Sequence, residues 1–267
     1  MLYRSSFVAG FAVVSSLLVS GSAHALRSPV EVTACGQEIR SGHTGYLTAD
    51  LTCPTSEGSI GVRLKNGAKL DLRGFTLTGG AAAVACGRVA DVDIAVLPTK
   101  GGKCEVFGGA IAGARYAAIV GRNVTVRDVT FTDIRALAIL SLRKAFVFES
   151  HFVGDGESDI QADALVEVHG STLEGTVVNS GGKAVIESSS ITGNLRDGVL
   201  GSLVQLIGSS VTGNCTESTC GQVNDACADI LSVRQPVVDA TSTCGLSAKL
   251  PIPGGQLQIP WGVCTND

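Results

Sequence analysis

The sequence predicts an all-β fold, a parallel β-helix of about seven to nine coils, from its composition, an internal repeat and its cysteine spacing. Of its 267 residues, 34 are Gly and only 16% are charged. This composition excludes helical bundles, which are rich in Ala, Glu, Lys and Leu, and disordered chains, which are strongly charged and poor in β-branched residues. With a formal net charge of −4, the whole chain lacks a basic footprint for phosphates, so nucleic acid is not an expected partner.

The first 25 residues have the pattern of a signal peptide. Arg4 precedes an apolar stretch from Phe7 to Val19, and Ala23-His24-Ala25 has the A-x-A pattern of a cleavage site. A membrane anchor is the alternative, but about 13 apolar residues are fewer than the roughly 20 that span a bilayer. Because no later segment is apolar enough to span, we expect an exported chain, secreted, periplasmic or at the cell surface, with no transmembrane segment after maturation.

All nine cysteines follow this signal, and an oxidising compartment makes disulfides the expected state. Zinc is the alternative, but CxxC spacing is absent and the chain has only 4 His. The predicted pairs are Cys35 with Cys53, Cys86 with Cys104, and Cys244 with Cys264. Two of Cys215, Cys220 and Cys227 are expected to pair, which leaves one odd thiol.

The repeat is anchored by an apolar residue two positions before a Gly or Asp. These anchors recur about every 20 residues, except in the first interval, which contains an insertion between Cys86 and Cys104. The anchors are Leu77, Ile111, Phe131, Phe152, Leu173, Ile191 and Val211.

Further apolar columns fall into register with these anchors. Five residues earlier stand Leu72, Val106, Val126, Val147, Val168, Ile186 and Leu206, and seven earlier stand Leu70, Cys104, Val124, Ala145, Val166, Ala184 and Val204. Eight residues after the anchor stand Ala85, Ile119, Ile139, Ile160 and Val199, with Val178 in the shorter coil. Each coil therefore has three inward apolar sites with strand periodicity. Stacked coils form a parallel β-helix, which buries the apolar side chains that a single coil would leave exposed.

Other solenoids of similar period do not fit this pattern. A leucine-rich repeat needs an L-x-x-L-x-L-x-x-N core and a covering helix or 3₁₀ segment, and neither is present in the sequence. A left-handed hexapeptide helix needs period six, and calcium-binding nonapeptide helices need G-G-x-G-x-D. Neither pattern occurs.

Four segments carry a resemblance to a known superfamily. They are Cys35-Gly36, the run from Leu47 to Pro54, the run from Leu70 to Gly79, and the ending Trp261-Gly262-Val263-Cys264. They resemble exported bacterial proteins with right-handed parallel β-helix repeats, of the pectate-lyase-like superfamily. The resemblance implies a right-handed, single-stranded β-helix over most of the mature chain, but no particular reaction, because that superfamily includes lyases, polygalacturonases, epimerases, tailspikes, adhesins and accessory proteins of copper enzymes.

The expected organisation follows the repeat and the cysteines. Residues 1–25 are the signal peptide, residues 26–67 an N-terminal cap, residues 68–214 the β-helix with an insertion at 80–103, and residues 215–267 a Cys-rich C-terminal cap. A solenoid exposes strand edges and core at both ends, so we expect end caps stapled by disulfides.

The outward positions of the first strand of each coil are the candidate functional face, because residues alternate sides along a strand. Six and four residues before each anchor stand Asp71 and Arg73, Glu105 and Phe107, Thr125 and Arg127, Phe146 and Phe148, Glu167 and His169, Val185 and Glu187, and Gln205 and Ile207. With coils about 4.8 Å apart, Arg127, Phe148 and His169 form a ladder roughly 10 Å long with Glu167 beside it.

We expect this face to make the protein a binding or structural module for a polysaccharide or a cell-envelope glycan. Phe107, Phe146 and Phe148 would stack on sugar rings, unless a loop such as 80–103 covers them. The alternative is a polysaccharide lyase or epimerase acting on uronates, in which Arg127 pairs with the carboxylate and His169 or Glu167 transfers a proton. Glu167 and Glu187 are also a conceivable glycosidase pair. The N-T-D, D-D, G-H-G, D-P-H and W-x-D-H motifs of the superfamily's enzymes are absent.

One acidic turn is a candidate calcium site, and otherwise no cofactor is expected. Asp155, Glu157 and Asp159 lie close together in sequence, with Asp163 nearby, and carboxylate oxygens suit Ca²⁺. The EF-hand's Gly at position six and Glu at position twelve are missing, so a solvated acidic loop is the competing interpretation.

Overall fold

Short runs of alternating apolar and polar residues, separated by Gly, Asn, Asp and Ser corners, form a parallel β-solenoid of about nine turns. The computed structural model describes residues 28–88, 100–195, 197–214, 228–249, 259–265 and 267. Within these residues it is all-β, and the predicted fold class is confirmed. No helix capable of crossing a membrane occurs in the described ranges.

The described residues form 22 strands. The first nine are β1 Val30–Val32, β2 Gln37–Ile39, β3 Thr44–Leu47, β4 Leu51–Cys53, β5 Ile60–Leu64, β6 Ala68–Asp71, β7 Thr76–Gly79, β8 Ala82–Arg88 and β9 Lys100–Gly101. Next come β10 Lys103–Ala112, β11 Ala117–Thr132, β12 Leu137–Phe148, β13 His151–Ala162, β14 Leu165–His169 and β15 Thr172–Glu187. The last seven are β16 Ser190–Thr192, β17 Val199–Ile207, β18 Ser210–Val211, β19 Ile230–Ser232, β20 Val237–Val238, β21 Thr243–Cys244 and β22 Ser247–Lys249.

From β3 onward, each turn of the described residues contributes one parallel strand segment to each of three faces. The first face contains β1, β3, β6, β14 and β20 with segments 103–107, 123–127, 144–148, 183–187 and 203–207 of longer strands. The second face contains β4, β7, β16, β18 and β21, and the third contains β2, β5, β8, β19 and β22, each with the corresponding segments of β10 to β17. The only antiparallel strand pair in the described residues joins β8 to β9.

The predicted inward columns form one continuous core along the solenoid axis. Val106, Val126, Val147 and Val168 are all fully buried and belong to this cluster. Inside it, the rings of Phe131 and Phe152 stack with their centroids 4.4 Å apart, because they occupy the same second-face position in successive turns. Burial of such aliphatic and aromatic side chains is the main stabilising term of the fold.

The predicted register is wrong in the first turn of the repeat. Val106 pairs with Leu70, not with Leu72, and the outward residues beside Glu105 and Phe107 are Lys69 and Asp71, not Asp71 and Arg73. The turn between β6 and β7 is two residues longer than the corresponding turn inside β10.

The third-face column also shifts by one residue in the first turn. Ile119 pairs with Val84, whereas Ala85 pairs with Val120 and belongs to a separate apolar cluster outside the main core. Residues 82–86, which lie within the expected insertion, therefore contribute a third-face strand.

A ladder of serines at the corner between the first and second faces was not anticipated. Ser150, Ser171, Ser189 and Ser209 each stand two residues before an anchor and are nearly fully buried. The backbone N–H of each donates to the hydroxyl oxygen of the next serine in the stack, at 3.0 to 3.1 Å, and Ser242 ends the series. Each of the four hydroxyls in turn donates to the carbonyl two residues earlier, so the corner's polar groups are satisfied internally.

The three predicted disulfides are confirmed. Cys35–Cys53 staples the N-terminal turns, Cys86–Cys104 joins the third face to the first across the insertion, and Cys244–Cys264 staples the C-terminal turns. No free cysteine occurs among the described residues, and Cys215, Cys220 and Cys227 lie outside them. The disulfides suggest an oxidising, extracellular environment. The expected signal peptide lies outside the described residues, and the handedness implied by the resemblance stays a prediction.

Candidate functional site

The structure brings the predicted ladder together on the outer surface of the first face. Arg127 pairs with Phe148 in the strand register, and Phe148 pairs with His169. The column continues to Glu187 in one direction and to Phe107 in the other. The ladder residues therefore stand in consecutive turns, as the repeat spacing predicts.

Phe148 is the centre of a stacked arrangement within this ladder. The Arg127 guanidinium carbon lies 4.0 Å from the centroid of the Phe148 ring, and the His169 ring is stacked 5.0 Å from it with an interplanar angle of 12°. Because Arg127 belongs to the preceding turn and His169 to the following one, they cover opposite faces of the ring. The edge of the Phe148 ring therefore points outward, and its two faces contact Arg127 and His169.

Phe107 and Phe146 are in a different situation from Phe148. Both side chains are half-buried, but neither has a ring or cation partner in the described part of the chain. Phe146 stands between Thr125 and Glu167 in the strand register. The Thr125 side chain is small and that of Glu167 is flexible, and neither is aromatic or cationic. These two rings are the ones whose faces the described residues leave without an aromatic or cationic contact. Residues 89–99 of the insertion lie outside the described residues, so the expected loop cover over the face stays a prediction.

Glu105 links two cations at the N-terminal part of the face. Its carboxylate lies 2.7 Å from Lys69 Nζ and accepts a hydrogen bond from Arg127 Nε at 3.1 Å. Partial burial works to raise the pKa of Glu105, but the hydrogen bonds and charges of Lys69 and Arg127 outweigh it and hold the pKa below its usual range. Arg127 uses Nε for this bond, and its terminal amino groups have no hydrogen-bond partner among the described residues.

His169 lies between two carboxylates. Its Nδ1 is 3.1 Å from Glu187 Oε2, and its Nε2 is 3.6 Å from Glu167 Oε2. The sequence predicted Glu167 beside His169 but not the closer contact with Glu187. The signal was available, because Glu187 occupies the same outward column one turn later. The suggested glycosidase pair, Glu167 and Glu187, thus consists of two carboxylates that both face this imidazole.

The residues of the predicted calcium site are only partly described. The side chains of Asp155 and Glu157 lie outside the description, whereas Asp159 is half-buried on the third face. Burial and the nearby charge of Asp197 raise the pKa of Asp159 to about 6. No group of three or more His, Cys, Asp or Glu side chains suited to a metal occurs among the described residues, and calcium binding stays a prediction.

Comparison with known proteins identifies no relative: no family model, no curated protein sequence and no solved structure matches this chain. The interpretation of the first face therefore depends on its own geometry.

Proposed function

We propose that the protein is an exported β-helix binding module that holds a polysaccharide along its first face. The observation that carries the proposal is the concentration of aromatic and charged side chains in consecutive turns of that face. The outward column runs through Tyr46, Asp71, Phe107, Arg127, Phe148, His169 and Glu187. Its length is roughly 30 Å, which suits a linear polymer of several sugars lying parallel to the solenoid axis.

The contrast with the second face supports this choice of surface. Outward positions there are mainly Thr and Ser, such as Thr76, Thr78, Thr130, Thr132, Ser190 and Thr192. These short side chains offer hydrogen bonds but no large apolar area. Sugars have apolar ring faces edged with hydroxyls, so aromatic rings beside charged and polar groups are the matching protein surface.

The internal contacts of the first face favour tight binding. Arg127 is already positioned by Glu105 and Phe148, and His169 by Phe148 and Glu187. Side chains that are ordered before the ligand arrives lose less conformational entropy on binding. Within the face, Phe107 and Phe146 are assigned to stack on sugar rings, while Phe148 positions its two neighbours.

The geometry favours binding over the alternative lyase or epimerase reaction. In that reaction a base removes the proton next to a carboxylate that a cation neutralises, so both groups must reach one sugar residue. Arg127 and His169 are two turns apart, about 10 Å, with the Phe148 ring between them. Both ring nitrogens of His169 also face glutamates. We further propose that the protein is of bacterial origin and belongs to the pectate-lyase-like superfamily.

Retention on a panel of immobilised polysaccharides tests the proposal, with polygalacturonate, alginate and a neutral β-glucan as probes. Wild-type protein should be retained on at least one, and Phe146→Ala should weaken binding about threefold to tenfold because a stacking ring is lost. Tyr116→Ala, which removes an aromatic side chain away from the first face, is the matched control and should bind normally. Incubation with the same polysaccharides should produce no ultraviolet-absorbing unsaturated ends.

Three results would contradict the proposal. The first is no retention of the wild-type protein on any of the polysaccharides, and the second is an equal loss of retention in Phe146→Ala and Tyr116→Ala. Accumulation of unsaturated product would instead support the lyase.

A further inference from the structure

A row of basic side chains lies at the corner where the third face leads into the first. It consists of Lys103, Arg122, Arg143 and Lys144, which we call the cationic corner. Lys103 pairs with Asn123 and Asn123 with Lys144 in the strand register, so these residues belong to three successive turns. The four positive charges therefore fall within roughly 10 Å along the axis.

The cationic corner has no neutralising partner among the described residues. Lys103, Arg122 and Arg143 are exposed, and no described carboxylate forms an ion pair with any of the four. Several other cations of the N-terminal half are paired: Lys65 with Glu38, Lys69 and Arg127 with Glu105, and Arg73 with Asp71. Arg115 and Arg135 are also exposed and without an ion pair, but only the cationic corner brings four cations without an ion pair together in three successive turns of the described residues.

Packing does not explain why cations occupy these positions. The position equivalent to Arg143 in later turns is Ala164, Gly182 or Ser202, so the fold accepts small residues there, and the Lys144 column continues through Leu165, Lys183 and Leu203. At Gly182 a Cβ atom would come within 2.1 Å of the Ala164 carbonyl oxygen, which shows how closely successive turns approach at this corner. Like charges held one strand spacing apart repel each other, so the arrangement is unfavourable for the free protein.

The cationic corner adjoins the rings assigned to sugar binding. Lys144 stands two residues before Phe146, and residues at i and i+2 of a strand project from the same side, about 7 Å apart. Lys103 has the same relation to Glu105 and precedes Phe107 by four residues. A ligand that covers Phe107 and Phe146 therefore has its edge beside these cations.

We propose that the cationic corner binds the carboxylate or sulfate groups of a linear anionic polysaccharide whose sugar rings lie on the first face. This inference rests on the proposed function and narrows its ligand to acidic glycans. The rings supply apolar contact, and Arg122, Arg143 and the lysines supply charge-assisted hydrogen bonds to the acidic groups.

An acidic glycan fits this surface better than a nucleic acid. Glu105, Glu167 and Glu187 lie on the same face, and the whole chain has a net charge of −4. A phosphate backbone carries one charge per nucleotide and is attracted by extended basic surfaces, whereas the cationic corner is only roughly 10 Å long. A polysaccharide with sparser charges can place its acidic groups at the corner and its uncharged edges near the glutamates.

The test compares two double variants that each remove two exposed arginines from consecutive turns. Arg122→Gln/Arg143→Gln alters the cationic corner, and Arg115→Gln/Arg135→Gln alters the opposite corner between the second and third faces, where Asp133 is also exposed. Affinities are measured on immobilised polygalacturonate, dextran sulfate, a neutral β-glucan and duplex DNA, from about 50 to about 300 mM NaCl.

The expected result is salt-sensitive binding to an acidic glycan that weakens about tenfold in Arg122→Gln/Arg143→Gln and is unchanged in Arg115→Gln/Arg135→Gln. Equal binding of wild type and both variants to an acidic or neutral glycan would leave the proposed function intact and overturn the role of the corner. Tighter binding to DNA than to every glycan would overturn the choice of ligand. Retention on no glycan would overturn both proposals.

Discussion

At the residue scale, position in the register decides what an aromatic side chain can do. Phe146 and Phe148 are two residues apart on the same strand and point to the same side. Phe148 has Arg127 and His169 in the adjacent turns of its column, and both contact its ring. Phe146 has Thr125 and Glu167, which leave its ring without such a contact. Two residues of one type therefore have different roles, and only the identity of their neighbours one repeat away distinguishes them.

Asp159 makes the stability of the protein depend on pH in a predictable direction. Because its pKa is about 6 in the folded protein against an ordinary value of 3.8, the folded state binds more protons than the unfolded state between these two values. Its contribution to stability is therefore fully present below about pH 4 and is lost as the pH rises through about 6. Asp159→Asn, which resembles the protonated side chain, should raise the free energy of unfolding near pH 8 by up to about 3 kcal/mol.

Urea denaturation of wild type and Asp159→Asn at about pH 3 and about pH 8 measures this effect. The stability difference should be large at the higher pH and close to zero at the lower one. Asp163→Asn removes an exposed carboxylate four residues away and should show no such difference. A difference between wild type and Asp159→Asn that does not change with pH would contradict the prediction.

At the element scale, the serine ladder connects successive turns through side chains as well as through the strands. Ser171 accepts a hydrogen bond from the Ser150 N–H and donates to the His169 carbonyl oxygen, and all these groups are buried or half-buried. Ser171→Ala removes the acceptor and leaves a buried N–H without its partner. We expect the free energy of unfolding to fall by about 1–3 kcal/mol, as for other unsatisfied buried donors.

Ser190→Ala is the matched control, because Ser190 lies on the outer surface of the second face and the hydroxyl is not part of the ladder. Thermal or urea denaturation should give a loss of less than about 0.5 kcal/mol for this variant, as for ordinary surface substitutions. Equal losses for Ser171→Ala and Ser190→Ala would mean that the ladder contributes no more than a surface hydroxyl.

The repeat predicted most elements because one turn constrains the next. From Ile111 onward the anchors and columns match the strand pairs, since each inward site has the same requirement for an apolar residue. The predicted register is wrong in the first coil because Leu70 and Leu72 are both buried. Apolar character alone could not show that the connection between β6 and β7 has two extra residues. Ser150, Ser171, Ser189 and Ser209 recur with the repeat as well, but their role depends on hydrogen bonds between turns that composition does not reveal.

At the scale of the whole molecule, the net charge does not show how the charged side chains are distributed. A chain with 20 Lys and Arg against 24 Asp and Glu suggests no basic surface. The solenoid nevertheless places Lys103, Arg122 and the adjacent pair Arg143 and Lys144, each about one repeat apart in sequence, close together along the axis. The ladder of Arg127, Phe148 and His169 could be predicted because it follows the strand repeat, whereas this corner could not, because corner lengths vary from turn to turn.

The linear architecture also predicts that damage to one end stays local. Each turn contacts only its neighbours, so the stability of a solenoid is approximately a sum over turns and their interfaces. The Cys244–Cys264 disulfide closes a sequence separation of 20 residues, which corresponds to about 3 kcal/mol in the chain-entropy account. Cys244→Ser/Cys264→Ser should therefore increase amide hydrogen exchange in β19 to β22, with little change in β10 to β12.

Cys86→Ser/Cys104→Ser is the matched comparison, because it removes a disulfide with the similar separation of 18 residues from an internal position. Its effect should be greatest in β8 and β10, and smaller than that of the terminal pair, because these strands have paired strands in the turns on both sides. Hydrogen exchange that accelerates equally along the whole chain in both double variants would show a single cooperative unit instead of a stack of locally stabilised turns. In that case the terminal disulfides would stabilise the molecule globally, and their position at the ends would have no special consequence.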